Sequence, residues 1–447
     1  MLRRKFLKSG LITSAFLGMS QHLGQSKPES VCPYGKLVPD PEGLLNLPKG
    51  FSYQVISRLG NRMSDGYKVP GQFDGMAAFQ SRENPDHLVL VRNHEIGIQF
   101  LHLGPFDNNA FLPSEIDRSL SYDPGRIGFP QFVGGTTNIV YNTKTKQVEK
   151  EFLSLLGTDR NCAGGVTPRE TWITCEEPID TQSELGVHHG YCFEVSPTEQ
   201  MGLQKPEPIT AMGRFRHEAI AVDPQSHYVY LTEDRHEGAL YRFRPIDPHN
   251  YHRGGVLEAL VVKEHRTFDT RNWQAPLMSL QKPYAYDWVE LTEPESPKDD
   301  LRFQAADKGG AIFARAEGCW CDGDKIWFAC TNGGPTKQAQ LFYLNTKQQT
   351  LHLFLQPEGD DLLTNADNLT VAPNSDVFIC EDRASGAGPS KLQVVSAKGA
   401  CYTLAENALN SSELAGACFS PDGRTLFLNI QTPGYTVAIN GPWPWLG

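Results

Sequence analysis

The chain has 447 residues, with 41 basic against 52 acidic side chains and a formal net charge of −11. That balance excludes nucleic acid as the main partner, because a phosphate backbone is bound by a basic surface. Hydrophobic content of 39% and charged content of 21% exclude extended disorder, and the length supports a large core without disulfide staples.

The chain opens on an address. Arg3, Arg4, Lys5 and Lys8 form a basic stretch, followed by a short apolar run from Leu11 to Met19. The run is too short to span a bilayer and reads as an export signal. Arg3-Arg4 followed by Lys5-Phe6-Leu7-Lys8 resembles the twin-arginine type, a route for proteins that fold around a cofactor before export. The expected organisation is a signal over 1–30 and one domain over 31–447. No later stretch has the roughly 18 continuous apolar residues of a membrane span. The mature protein is expected to be a periplasmic or secreted monomer, with the twin-arginine translocase as its export partner.

Beyond the signal, one unit recurs. NCAGGVTPRETWITCEE (161–177) has a short apolar stretch, a turn, and a second alternating stretch ending in acids. The same shape returns in HEAIAVDPQSHYVYLTED (217–234), AEGCWCDGDKIWFACTN (316–332), ADNLTVAPNSDVFICED (366–382) and LAGACFSPDGRTLFLNIQ (414–431). FDGMAAFQSRENPDHLVLVRNHE (73–95) is a looser copy. Short strands punctuated by turns in these repeated units predict an all-β, six-bladed propeller, with FSYQVIS near the N-terminus closing the ring. Residues 99–131 and 246–310 lack the pattern and read as insertions. Within the second, Tyr284, Tyr286 and Trp288 are expected to pack a small subdomain rather than cover a site.

Aligned on the turn residue, the units place Cys162, Glu218, Glu317 and Asp367 at one equivalent position, with Ala415 at the fifth. The second stretches end in Asn93-His94-Glu95, Glu176-Glu177, Glu233-Asp234 and Glu381-Asp382. The start of one hairpin strand and the end of the next lie at the same end, so these groups converge on one mouth of the axial channel. So many carboxylates cannot all stay ionised without bound cations. Oxygen donors favour Ca²⁺ or Mg²⁺, whereas the thiolate of Cys162 favours a softer ion such as iron or zinc. Adjacent strand residues face opposite sides, so one acid of each pair points inward; Glu177 and Glu381 are the expected members. Arg315, two residues before Glu317, shares its face and suits capture of a phosphate or carboxylate. His217, beside Glu218, is a candidate proton donor or substrate contact. His188-His189 reads as a loop pair.

The ten cysteines contain no CxxC pair. Cys175, Cys330, Cys380 and Cys418 lie in apolar runs and read as buried small hydrophobes. No GxSxG elbow, P-loop or HExxH helix occurs.

The segments Arg92-Asn93-His94-Glu95, LLGTDRNCAGGVTPRETWITCEE (155–177), GRFRHEAIAVDP (213–224), FARAEG (313–318), DNLTVAP (367–373) and FSPDGRTLFLNIQTPG (419–434) resemble the PhoX-type alkaline phosphatases. The resemblance implies phosphomonoester hydrolysis by an exported six-bladed propeller carrying an Fe³⁺ pair and several Ca²⁺ ions near its axis. It implies that Cys162 ligates iron, that Glu218 ligates iron or calcium, and that Glu317 and Asp367 complete the set. It further implies phosphate binding by Arg315, and calcium positions fed by Glu95 and the Glu176-Glu177 pair. Pro168-Arg169-Glu170 departs from the Pro-Trp-Gly expected at that turn. Two rivals remain at this level: a calcium-dependent propeller lactonase or phosphotriesterase, and a non-catalytic propeller fastened by Ca²⁺.

Overall fold

The computed structural model describes residues 32–107, 110–179, 183, 185–359, 362–383 and 387–446. The export signal read in the first twenty residues lies outside them.

The chain is all-β, with a propeller-like arrangement of antiparallel sheets around an axis. Six hairpins carry the recurring unit, and in each the first strand opens directly opposite the end of the second. The opening pairs are Phe73↔His94, Asn161↔Glu176, His217↔Glu233, Ala316↔Cys330, Ala366↔Glu381 and Leu414↔Ile430. The first strands touch one another in a closed cycle and line the axis. The strand Ser52–Arg58 pairs with Tyr435–Asn440, so the two ends of the chain share one sheet, as the FSYQVIS segment predicts.

Among the described residues there are five sheets, because the hairpins at 217–233 and 316–330 belong to a single nine-stranded one. The join is made within the segment read as an insertion. Gly255–Val262 and Tyr284–Glu290 extend one half, and Tyr284↔Leu351 and Ala285↔Thr350 tie it to the other. Tyr284 and Tyr286 are buried in that sheet's core, and Trp288 lies under the Arg242 guanidinium. These aromatics pack the fold and do not cover the mouth.

Every first strand slips register immediately after its opening residues, at 73/76, 161/164, 217/220, 316/319, 366/369 and 415/418. Such bulges bend the strand and leave carbonyls outside the ladder. Neighbouring hairpins satisfy them. Asn93 Nδ2 donates to Cys162 O and Ala163 O, each at 2.8 Å. Thr232 donates to Glu317 O, Thr331 to Ala366 O and Asn429 to Asp74 O. The strands approach this closely because small residues follow the bulged position. A Cβ on Gly75 would lie 2.6 Å from Ala163 Cα, and one on Gly318 would lie 2.5 Å from Asp367 O.

The buried thiols Cys175, Cys330, Cys380 and Cys418 are unbridged, consistent with their apolar runs. Among the described residues, no helix is long and apolar enough to cross a membrane.

Asn93→Ala should destabilise the protein by about 2–4 kcal/mol, since it strips two buried carbonyls and Trp172 Nε1 of their partner. Urea unfolding measures the loss, and a value below about 1 kcal/mol would contradict this account of the inter-hairpin bonds.

Candidate metal and phosphoester site

Three positions in each hairpin converge on one end of the axis. The deepest is the bulged residue, second in the first strand: Asp74, Cys162, Glu218, Glu317, Asp367 and Ala415. Above it stands the residue immediately after the second strand: Glu95, Glu177, Asp234, Thr331, Asp382 and Gln431. The rim comes from the residue two before the bulged one: Gln72, Arg160, Arg216, Arg315, Asn365 and Glu413. Gln72, Arg160, Arg315 and Asn365 hold left-handed backbone, with φ of 47°, 48°, 49° and 50°, which recurs where the chain turns into the first strand.

The resulting cavity of about 150 Å³ is lined by nine carboxylates and the Cys162 thiol, against the guanidiniums of Arg160 and Arg315. Arginine and acid alternate along half the rim. Arg160 pairs with Glu95 at 3.0 Å and also with Glu177. Arg216 pairs with Glu177 and lies 3.6 Å from Asp234. Arg315 bonds Asp234 at 2.6 Å and Glu317 at 3.0 Å.

Charge is unbalanced deeper in, and at Glu413 on the rim. Burial, then the neighbouring carboxylates, push Asp74, Glu218 and Glu413 well above the usual carboxylate range. Glu317 is raised the same way, Arg315 notwithstanding, and Asp367 is pushed up to about 7. Burial and the negative charges of Glu218, Glu95 and Asp74 likewise raise the Cys162 thiol. Burial opposes ionisation of Asp234 too, but Arg315 and Arg216 hold it below the usual range.

Cations fit this donor set. Glu218, Glu317 and Asp367 offer oxygens all within 4.8 Å of one another, as do Asp74, Glu95 and Glu413, and Asp367, Asp382 and Glu413. Asp367 belongs to two of these groups, so one carboxylate can serve two ions. All-oxygen groups suit hard cations, and the thiol beside Glu218 suits a softer one.

Of the residues expected from sequence, Cys162, Glu218, Glu317, Asp367, Glu95, Glu177 and Arg315 line the cavity. Glu176, Glu381 and His217 do not. Glu176 ends its strand facing outward, where it bonds His189 Nδ1 at 2.7 Å and accepts from Gly190 N and Tyr191 N. Glu381 is turned onto Arg383, Gln393 and Thr364 N, and Asp382 is the member that faces the axis. Strand alternation explains both: the last strand residue points into the sheet, and its successor points to the channel. His217 precedes the bulge and points away. Its ring bonds Gly213 O at 3.0 Å and lies 3.4 Å from Cys192 Sγ, and burial pushes it down to about 4, so the ring is neutral and faces away from the cavity, while only its carbonyl accepts from Cys162 Sγ at 3.3 Å.

Sequence reasoning missed Asp74, Glu413, Arg160 and Arg216. The signal for the arginines was present: each stands two before a ligand position, as Arg315 does. Asp74 sits in the loose copy of the unit, and Glu413 precedes the one unit whose ligand position holds alanine.

A family model for alkaline phosphatase PhoX matches residues 32–124 and 130–434. The chain belongs to the PhoX alkaline phosphatase family. Its activity class is therefore that of a metal-dependent phosphomonoesterase. Among solved structures, Pseudomonas fluorescens PhoX in complex with vanadate, a transition state analogue, aligns with a TM-score of 0.65 at 18% identity, over 89% of this chain and 96% of that one. The periplasmic gluconolactonase PpgL of Pseudomonas aeruginosa aligns with a TM-score of only 0.39 at 11% identity, over 85% and 89%, and carries no argument. No curated protein sequence matches.

Behind Glu177, His189 is clamped between Glu176 and Asp123, with its Nε2 3.5 Å from Asp123 Oδ2. Burial alone would lower its pKa, but the Glu176 and Asp123 carboxylates outweigh it and push the imidazole up to about 10. The clamp's contribution is thus complete below the unfolded value of 6.5 and lost as pH rises through about 10. The melting temperature should fall across that window more steeply in wild type than in His189→Gln, and equal slopes would contradict the clamp.

Proposed function

We propose that phosphomonoesters are hydrolysed at the mouth of the acid-lined cavity, on cations held by the bulged residues of the hairpins. The carrying observation is that nine carboxylates and a thiol face two guanidiniums in a space of about 150 Å³. On this reading the nine-stranded sheet counts as two blades joined at their outer edges, which makes a six-bladed propeller over residues 31–447. Cys162, Glu218, Glu317 and Asp367 would hold a pair of Fe³⁺ ions. Asp74, Glu95, Asp382 and Glu413, with Glu177 beside them, would hold Ca²⁺.

When bound, these ions polarise phosphoryl oxygens and lower the pKa of an attacking water. The chain's own contribution is positioning. Arg315 presents a planar fork that matches two phosphoryl oxygens, and it is tethered by Asp234 and Glu317 so that little freedom is lost on binding. Arg160, at the equivalent position two hairpins earlier, offsets charge on the remaining oxygens, and Arg216 between them holds Glu177. The acids that pair with them fix their direction. Three rim arginines and a deep thiol favour a phosphoester over a lactone, which carries no anionic group for them to hold.

The twin-arginine signal fits this assignment, because iron would be loaded before export and the enzyme would act as a monomer in the periplasm or outside the cell. Arg315→Ala should weaken competitive inhibition by inorganic phosphate roughly 10- to 100-fold, as expected for a lost charge-assisted pair, while metal content stays unchanged. Cys162→Ser should instead lower the iron bound per chain, read by elemental analysis. Unchanged phosphate inhibition in Arg315→Ala would remove the anion clamp from the account.

A further inference from the structure

The cavity has no room and no apolar wall for the organic part of an ester, so that part must lie beyond the rim. Gly97 lies against the Arg160 side chain, so closely that a Cβ there would come within 3.0 Å of its Cγ and Cδ. The next residue, Ile98, is 64% exposed and lines a cleft of about 210 Å³. Leu101, Phe129, Pro130 and Phe132 form its other apolar walls, with Phe129 53% exposed. Asp123 closes one side and is tied through His189 to Glu176, next to the cavity residue Glu177.

We propose that this cleft is the leaving-group subsite and that it selects esters of aromatic or branched-alkyl alcohols. The inference rests on the phosphatase reading of the cavity. Its warrant is continuity: Gly97 lies against Arg160, and the next residue, Ile98, lines the cleft. Apolar side chains left exposed in a concave surface beside a charged mouth gain by covering an apolar group, and a polyol alcohol offers them none. Ile98 and Phe129 are thus specificity-determining residues that touch the alcohol and leave the phosphoryl group to the arginines.

The test compares 2-naphthyl phosphate with glycerol 2-phosphate on the metal-loaded enzyme, in wild type, Ile98→Ser, Phe129→Ser and Phe129→Leu. The serine variants should lose about tenfold in kcat/KM for naphthyl phosphate, chiefly through KM, while glycerol phosphate changes less than about twofold and Phe129→Leu stays near wild type. Equal changes on both substrates, or none, would overturn the subsite while leaving the phosphatase reading intact. Turnover of neither ester by wild type would sink both. A concentration-dependent dimer abolished by Ile98→Ser, with naphthyl turnover unaltered, would overturn the proposal by making the cleft a contact between copies. Unchanged melting temperatures in the variants keep a loss of turnover from being a loss of fold.

Discussion

The structure depends on a concentration of negative charge that the protein alone does not neutralise. Nine carboxylates line a cavity into which only two guanidiniums reach, with Arg216 behind them. Burial in a space of this size makes each further ionisation more costly, which is why the deep acids are pushed upward and Asp367 reaches about 7. Bound cations reverse that cost and turn repulsion into ligation. The same ions would draw the Cys162 thiol to its thiolate, against the burial that otherwise holds the proton on it.

The fold serves this constraint by repetition. One hairpin geometry, used around the axis, brings three residues per copy to the same end, and the bulge turns the deepest of them toward the centre. Small residues such as Gly75 and Gly318 allow the strands to approach, and side chains such as Asn93 and Asn429 close the bulged carbonyls from the neighbouring hairpin. The ring therefore holds its ligands from the backbone outward. Outward-facing partners finish the work: Glu176 on His189, Glu233 on Tyr241 and Glu381 on Arg383 pin the loops that carry Glu177, Asp234 and Asp382.

Much of this was legible in the sequence because repetition turns spacing into geometry. The register that aligned Cys162, Glu218, Glu317 and Asp367 is the register of the bulges, and FSYQVIS does pair with the last strand. Two things were hidden. The choice within Glu381-Asp382 depends on where the strand stops, a single-residue boundary that alternation alone does not fix. The spacing of the rim arginines was there to read, but Arg160 and Arg315 enter the strand from a left-handed residue, and nothing in the local sequence announces that conformation. His217 looked functional because it adjoins Glu218, yet adjacency in a strand is what sends its ring to the opposite face.

Elemental analysis of natively exported protein, paired with melting temperature and phosphomonoester turnover before and after chelation, tests the central claim most directly. The account predicts iron together with calcium, with both turnover and thermal stability falling as the ions are withdrawn and returning when they are restored. A metal-free chain that melts at the same temperature and hydrolyses phosphomonoesters at the same rate would contradict it.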